Sequence, residues 1–271
     1  MTHDQTNKIQ ELITKFSLEN SKPTYTPMEP GYIKTIDNNN LLKDNVKYRQ
    51  AVGALLYIST VTRPDISAAV NILSLRNEKP RAKDWEAVKR TIRYLKTTVN
   101  LKLTFNTSEQ PVLRAYADSD WANDPTDRKS TSGNLFMLGN NPILWNSKRQ
   151  NCITMSSAEA EYVSAASAAQ EVKWLTNLFN ELDMPQEYPI TLFEDNQACI
   201  KLAESDKHHQ KTKNIDLRYH LLKHLVEEGV LRLKYLNSSS MCADILTKAL
   251  PRTNFEKLRD SIINNGDCFK V

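Results

Sequence analysis

Four acidic residues stand where the sequence changes character rather than along a solvated face: Asp118, Glu161, Asp195 and Asp244. Asp118 closes an alternating run, Glu161 lies in the first turns of a long helical pattern, Asp195 follows an apolar run, and Asp244 comes near the start of a late helical stretch. In α/β sheets ligands collect beyond the carboxyl ends of parallel strands, so Asp118 and Asp195 reach one pocket if their strands are neighbours. Carboxylates gathered there repel one another unless cations bind them. Hard divalent ions with oxygen ligands are the remedy, and two of them about 3.5–4 Å apart make the arrangement that drives in-line phosphoryl displacement. The expectation is that no lysine stands among these acids. Asp120 is the alternative ligand beside Asp118. Glu159 competes with Glu161, but Ser156-Ser-Ala-Glu159 is a capping box, which gives Glu159 a structural task. Glu194 stands beside Asp195 on the opposite face of its strand, and an acid at a helix start such as Asp244 also complements the macrodipole.

These acids need elements to hold them. Residues 112–118 alternate and predict a strand, and 131–138 and 142–145 follow after turn signals at 124–127 and 139–141, an antiparallel meander. A helix is expected over 158–182, with Ala165, Ala166, Ala168 and Ala169 making a face small enough to lie close against a sheet. Then come an apolar run at 190–193, a short helix from 196, a helix over 215–228, a strand at 231–235, a helix over 241–250 and an amphipathic helix over 254–263. The order β-β-β-α-β-α-α-β-α predicts an α/β domain with a mixed sheet. Upstream, 46–108 reads as helices with a break at Pro64, and 1–45 as a short helix followed by an extended, proline-rich linker.

Composition narrows the function classes. The six glycines make neither G-x-G-x-x-G nor a P-loop, which argues against dinucleotide-binding and P-loop enzymes. Four scattered cysteines give no C-x-x-C pair, and reduced thiols in an intracellular protein are expected. No apolar h-region opens the chain, and no stretch approaches the roughly 20 apolar residues of a membrane span; cytoplasm or nucleus is the expected location. Net charge is only +4, yet residues 41–110 hold 13 basic against 6 acidic residues and the rest 23 against 26. A basic helical platform thus precedes an acidic α/β part.

Six stretches occur in order: Tyr116-Ala-Asp-Ser-Asp-Trp-Ala122, Asp127-Arg-Lys-Ser-Thr-Ser-Gly133, Ser156-Ser-Ala-Glu-Ala-Glu-Tyr162, Glu194-Asp-Asn-Gln-Ala198, Asn214-Ile-Asp-Leu-Arg-Tyr-His220 and Ala243-Asp-Ile-Leu-Thr-Lys248. Together they resemble the ribonuclease H domain of copia-type LTR retrotransposon Pol polyproteins. Tyr48-Arg-Gln-Ala-Val-Gly-Ala-Leu-Leu-Tyr57 with Thr62-Arg-Pro-Asp-Ile66 resembles the segment after the reverse-transcriptase palm. The resemblance covers about residues 10–263. It implies a ribonuclease H-like mixed five-stranded sheet flanked by helices at 109–250, preceded by a helical connection at 46–108 and followed by a C-terminal helix and tail at 251–271. It carries the family's catalytic and metal-binding quartet onto Asp118, Glu161, Asp195 and Asp244, and implies two Mg²⁺ ions (or Mn²⁺), an RNA-DNA hybrid as substrate, and products ending in 3′-hydroxyl and 5′-phosphate.

Basic and polar residues near these motifs, Arg128, Lys129, Ser130, Asn196, Gln197, Lys211, Lys213 and Arg218, are the expected nucleic-acid contacts. One departure stands out: many ribonucleases H carry a His shortly before the last acid, where this chain has Asn237-Ser-Ser-Ser-Met241; His220 is the alternative. His208-His209 and the i, i+4 pair His220/His224 read as solvated or core histidines rather than metal ligands. No Tyr-x-Asp-Asp polymerase motif occurs, so polymerization is not expected of this chain alone, and a separate polymerase or Pol fragment is an expected partner. In that case the apolar stripes around Leu55 and Trp85 would be partly exposed. The competing expectation is a catalytically silent or co-opted remnant that only binds nucleic acid or a partner. Loss of a quartet acid would mark it, and all four are present.

Overall fold

The computed structural model describes residues 1–34, 40–106, 110–205 and 216–263. A two-residue strand β1 (Thr2–His3) leads into helices α1 (Thr6–Lys15), α2 (Val46–Val61), α3 (Ser67–Ser74) and α4 (Ala82–Thr97), and β1 pairs with β2 (Leu103–Thr104). The meander follows as β3 (Leu113–Asp120), β4 (Thr131–Leu138) and β5 (Asn141–Arg149). Then come α5 (Ser157–Glu181), β6 (Ile190–Glu194), α6 (Gln197–Glu204), α7 (Asp216–Glu227), β7 (Leu231–Tyr235), a 3₁₀ turn Cys242–Leu246 and α8 (Arg252–Ile263). The sheet runs β5-β4-β3-β6-β7, antiparallel among β5, β4 and β3 and parallel from β3 through β6 to β7. The mixed five-stranded sheet flanked by helices is therefore present, with a helical segment before it.

Strand periodicity sorts the core into two layers. Leu113, Ala115 and Ala117 of β3, Phe136 of β4 and Ile190 and Leu192 of β6 face α5, α6 and α7. Ala165, Ala166, Ala168 and Ala169 of α5 are fully buried there, the close approach their size predicts. On the other face, Tyr116, Leu135, Met137 and Phe193 share one continuous core with α1–α4, the Cys242–Leu246 turn and α8. Tyr116 stacks on Phe193 with ring centroids 5.0 Å apart, and the Trp145 indole donates to the Ser59 carbonyl at 2.8 Å, tying β5 to α2.

Several expectations change. The third strand extends to Arg149 because its polar end pairs with β4, Thr131 opposite Arg149, which no hydrophobic pattern announces. The helix expected over 241–250 is only a 3₁₀ turn, closed by Thr247 N–H donating to the Asp244 carbonyl at 3.2 Å. The proline-rich linker is a strap along α4, with Met28 buried, Thr91 Oγ1 donating to the Pro27 carbonyl and Arg90 paired with Glu29. Leu55 is fully buried, and Trp85 is half-buried with its ring edge-on to Phe16 at 5.6 Å. The exposed apolar side chains of α2 are instead Val46, Leu56, Tyr57 and Val61. No described helix is long and apolar enough to cross a membrane.

Candidate active site

The acids meet at the carboxyl edge of the parallel pair β3–β6, reached from both faces of the sheet. Asp118 follows Tyr116 by two residues and so shares its face, toward the Cys242–Leu246 turn that carries Asp244. Glu194 follows Leu192 by two and shares the α5 face, from which Glu161 comes. Asp195, one residue beyond β6, belongs to both groups: one carboxylate oxygen each from Asp118, Asp195 and Asp244 lie within 4.8 Å of one another, and so do oxygens from Glu161, Glu194 and Asp195.

Local devices fix each carboxylate. Glu161 is placed by the start of α5, where Ser156 Oγ accepts from Glu159 N–H at 3.2 Å. The Glu159 carboxylate accepts from Met155 N–H at 2.6 Å, one residue earlier than the capping box predicts. One turn on, Ser164 Oγ donates to the Asp118 carbonyl at 2.8 Å and locks α5 to the end of β3. Asp244 is brought in by Gly133, the β4 residue opposite Asp118. A Cβ there would stand 2.7 Å from Thr247 Cγ2 and 2.8 Å from Leu246 Cβ, so only glycine lets the turn settle on β4. Thr247 Oγ1 donates to Asp118 Oδ2, and Ser238 Oγ donates to Asp195 Oδ2 at 2.6 Å.

Burial, followed by the Asp118, Glu194 and Asp195 charges, pushes the Glu161 carboxyl up to about 11. Burial raises Glu194 well above its ordinary range. Burial and Asp118 take Asp244 to about 8 against the pull of Lys248, and burial takes Asp120 to about 6. Asp195 is raised by burial although Ser238 opposes the shift. Among the described residues, Glu161 Oε2, Glu194 Oε2 and Asp244 Oδ1 are buried without a hydrogen-bond partner. Crowded, unsatisfied carboxylate oxygens in two overlapping triads are a donor set that fits hard divalent cations.

The expectation of no lysine among the acids is corrected. Lys248 Nζ lies 3.2 Å from Asp244 Oδ2 and 3.7 Å from Asp118 Oδ2. Four residues past Asp244, it returns to the same side of the chain. Burial opposes its charge, but Asp118 and Asp244 raise its pKa.

Sequence relatives decide what this edge belongs to. Over 268 residues the chain is 37% identical to the retrovirus-related Pol polyprotein from transposon TNT 1-94 of Nicotiana tabacum, covering 95% of this chain and 20% of that protein. Over 258 residues it is 36% identical to the retrovirus-related Pol polyprotein from transposon RE1 of Arabidopsis thaliana, covering 95% and 18%. The chain belongs to the retrovirus-related Pol polyproteins of transposons. It spans about a fifth of the length of these Pol relatives. A shorter relative, secreted RxLR effector protein 161 of Plasmopara viticola, is 45% identical over 132 residues, 49% of this chain and 93% of that protein. Among solved structures, the crystal structure of LC11-RNase H1 in complex with RNA/DNA hybrid overlaps 56% of this chain and 97% of that one, with a TM-score of 0.37 and 13% identity. No family model matches the chain.

Within this Pol segment the other expected contacts divide. Arg128 is exposed and Lys129 half-buried in the turn between β3 and β4, and Gln197 is exposed at the start of α6. Ser130 does not face solvent: it is fully buried, its hydroxyl accepting from Ala122 N–H at 3.1 Å and lying 3.2 Å from Thr154 Oγ1. Asn196 caps α6, its Oδ1 accepting from Ala198 and Cys199 N–H groups. Lys211 and Lys213, with His208 and His209, lie outside the described residues; Arg218 is on α7. His224 pairs with Glu228 at 3.3 Å. Sequence reasoning set Glu194 aside in favour of Asp195 and did not single out Lys248, Thr247 or Ser238. Only Lys248 carried a signal, its i+4 spacing from Asp244.

Proposed function

We propose that this Pol segment is a ribonuclease H of the copia type, cleaving the RNA strand of RNA-DNA hybrids endonucleolytically with two Mg²⁺ ions, or Mn²⁺. The observation that carries it is the pair of carboxylate triads sharing Asp195, with buried oxygens that lack a hydrogen-bond partner among the described residues. Asp118, Glu161, Asp195 and Asp244 would hold the ions. When bound, the ions supply activation of the attacking water and stabilization of the leaving 3′-oxygen. The chain's own groups orient the acids: Ser238 holds Asp195, Thr247 holds Asp118, and Ser164 fixes the α5–β3 junction. Arg128, Lys129 and Gln197 flank the edge and would contact the backbone, with Lys211, Lys213 and Arg218 adding charge; the ribose 2′-hydroxyl separates RNA from DNA. Polymerase, protease and integrase functions would come from other parts of a Pol polyprotein.

Cleavage of an end-labelled hybrid in Mg²⁺ by wild type and by Asp195→Asn tests this. Wild type is expected to yield 3′-hydroxyl and 5′-phosphate ends, and the variant, which loses the acid common to both triads, to be slower by on the order of 10³-fold or more. Equal inertness of two folded proteins sinks the enzyme reading. It would favour the second reading, a silent binding module, whose one support is the kinship with a secreted effector.

A further inference from the structure

Glu194 is the acid that the quartet leaves over. It is fully buried at the end of β6, and period-two alternation places it on the α5 side with Leu192, in the wedge between β6 and the first turns of α5. One oxygen is spoken for: Oε1 accepts from Asn196 N–H at 3.1 Å, which fixes the plane of the carboxylate. Oε2 is buried and has no partner. One oxygen of Glu194 lies within 4.8 Å of oxygens from Glu161 and Asp195. Lys248 is engaged with Asp118 and Asp244 on the far side of Asp195. A buried carboxylate that keeps an unsatisfied oxygen and lies among two further carboxylates is costly unless a cation completes it.

Resting on the divalent-metal reading above, we infer that Glu194 is a fifth metal ligand, completing with Glu161 and Asp195 a three-carboxylate position that fills before the position formed by Asp118, Asp195 and Asp244. The order follows from charge. Among the described residues no lysine pairs with Glu161, Glu194 or Asp195, whereas Lys248 already offsets part of the charge of Asp118 and Asp244 and must be displaced or tolerated by an incoming ion. Sequence alone points away from this role, because neighbours on a strand face opposite ways. At the very end of a strand that rule loses its force: Asp195 lies past the last ladder pair, Glu194 with Tyr235, and its carboxylate meets groups from both faces.

Calorimetric titration of Mn²⁺ into the full chain tests this without recourse to catalysis. Wild type is expected to bind two ions in resolved steps. Glu194→Gln, nearly isosteric and uncharged, should weaken the tighter step by about 10- to 100-fold and leave the weaker step in place. Asp244→Asn should do the reverse. Glu194→Asp, which keeps the charge but shortens its reach, should also weaken the tighter step, and it carries the comparison if circular dichroism shows the Gln variant to be unfolded. If wild type binds two ions and the folded Glu194 variants bind both with wild-type affinity, Glu194 is a buried structural acid and the inference is overturned while the metal reading stands. Failure of wild type to bind Mn²⁺ overturns both.

Discussion

Two of the places where this chain buries charge are built in opposite ways. In the helical segment, the Arg63 and Asp65 side chains are each 1% exposed. Arg63 donates twice to Asp65, from Nε at 2.9 Å and from NH2 at 2.8 Å; Tyr94 Oη adds a third donor to Asp65, and Thr98 accepts from the guanidinium through both its carbonyl and its hydroxyl. The Tyr94 ring lies 5.4 Å from the guanidinium carbon. That network is closed by its own residues. At the β3–β6 edge the buried groups are nearly all of one sign, and three oxygens find nothing to accept from. A buried charge satisfied from within supports the fold, whereas a set that does not satisfy itself offers its oxygens to a cation from solution.

The sharpest way to break this contrast is to make the same carboxylate-to-amide change in both places and melt the metal-free proteins. Asp65→Asn strips the counter-charge from a buried guanidinium and should cost about 3–5 kcal/mol of unfolding free energy. Glu161→Gln removes an acid that must take up a proton to be buried and should be stabilizing by about 1 kcal/mol near neutral pH. Chemical denaturation measures both; destabilization by Glu161→Gln comparable to that by Asp65→Asn would erase the distinction.

Acidity gives the next largest effect. Burial and the Asp118 charge push the Asp244 carboxyl up to about 8 in the folded chain, against about 4 when unfolded. Between those values the native state holds more protons, so metal-free stability should fall as pH rises from about 4 through about 8, the reverse of an ordinary ion-paired carboxylate. Divalent metal binds the deprotonated form and should cancel the trend, adding about 2.7 kcal/mol at a hundredfold excess over Kd. Melting temperatures at pH 5 and pH 8, with and without Mg²⁺, check it: the metal-induced rise should be larger at pH 8.

The sequence made the elements legible wherever hydrophobic period and chain direction agree. The β3 alternation, the small face of α5 and the apolar run of β6 stand close to where the pattern puts them, and Asp118, Glu161, Asp195 and Asp244 do converge. What escaped depends on contacts distant in sequence. The polar half of β5 is a strand only because β4 pairs with it. The turn holding Asp244 is short and tight, fitted against Gly133 more than a hundred residues earlier. Leu55 is covered by a core that includes the sheet, a surface that a local helical wheel does not contain. Ser130 reads as a phosphate contact from its neighbours Arg128 and Lys129, yet β4 begins immediately after it and carries its hydroxyl inward to Thr154.

Lys248 is where the contrast is least complete, because it brings one internal cation to the acid edge. Its side chain is about one-third exposed, so solvent screens its pairs with Asp244 and Asp118 and each contributes modestly. Lys248→Met keeps the apolar stem and removes the charge. Metal-free protein should then lose about 1 kcal/mol, far less than Asp65→Asn, because Asp118 retains the Thr247 hydroxyl and Asp244 can take up a proton. The effect on metal should have the opposite sign. Without the ammonium, an ion approaching Asp118 and Asp244 meets the full charge of the pair, and Mn²⁺ affinity at that step should tighten about fivefold, the equivalent of about 1 kcal/mol. Calorimetry at two salt concentrations separates the alternatives. Tightening that fades with salt marks Lys248 as an electrostatic competitor for the ion, whereas weaker binding in the Met variant would make it a support that holds Asp118 and Asp244 in place for the metal.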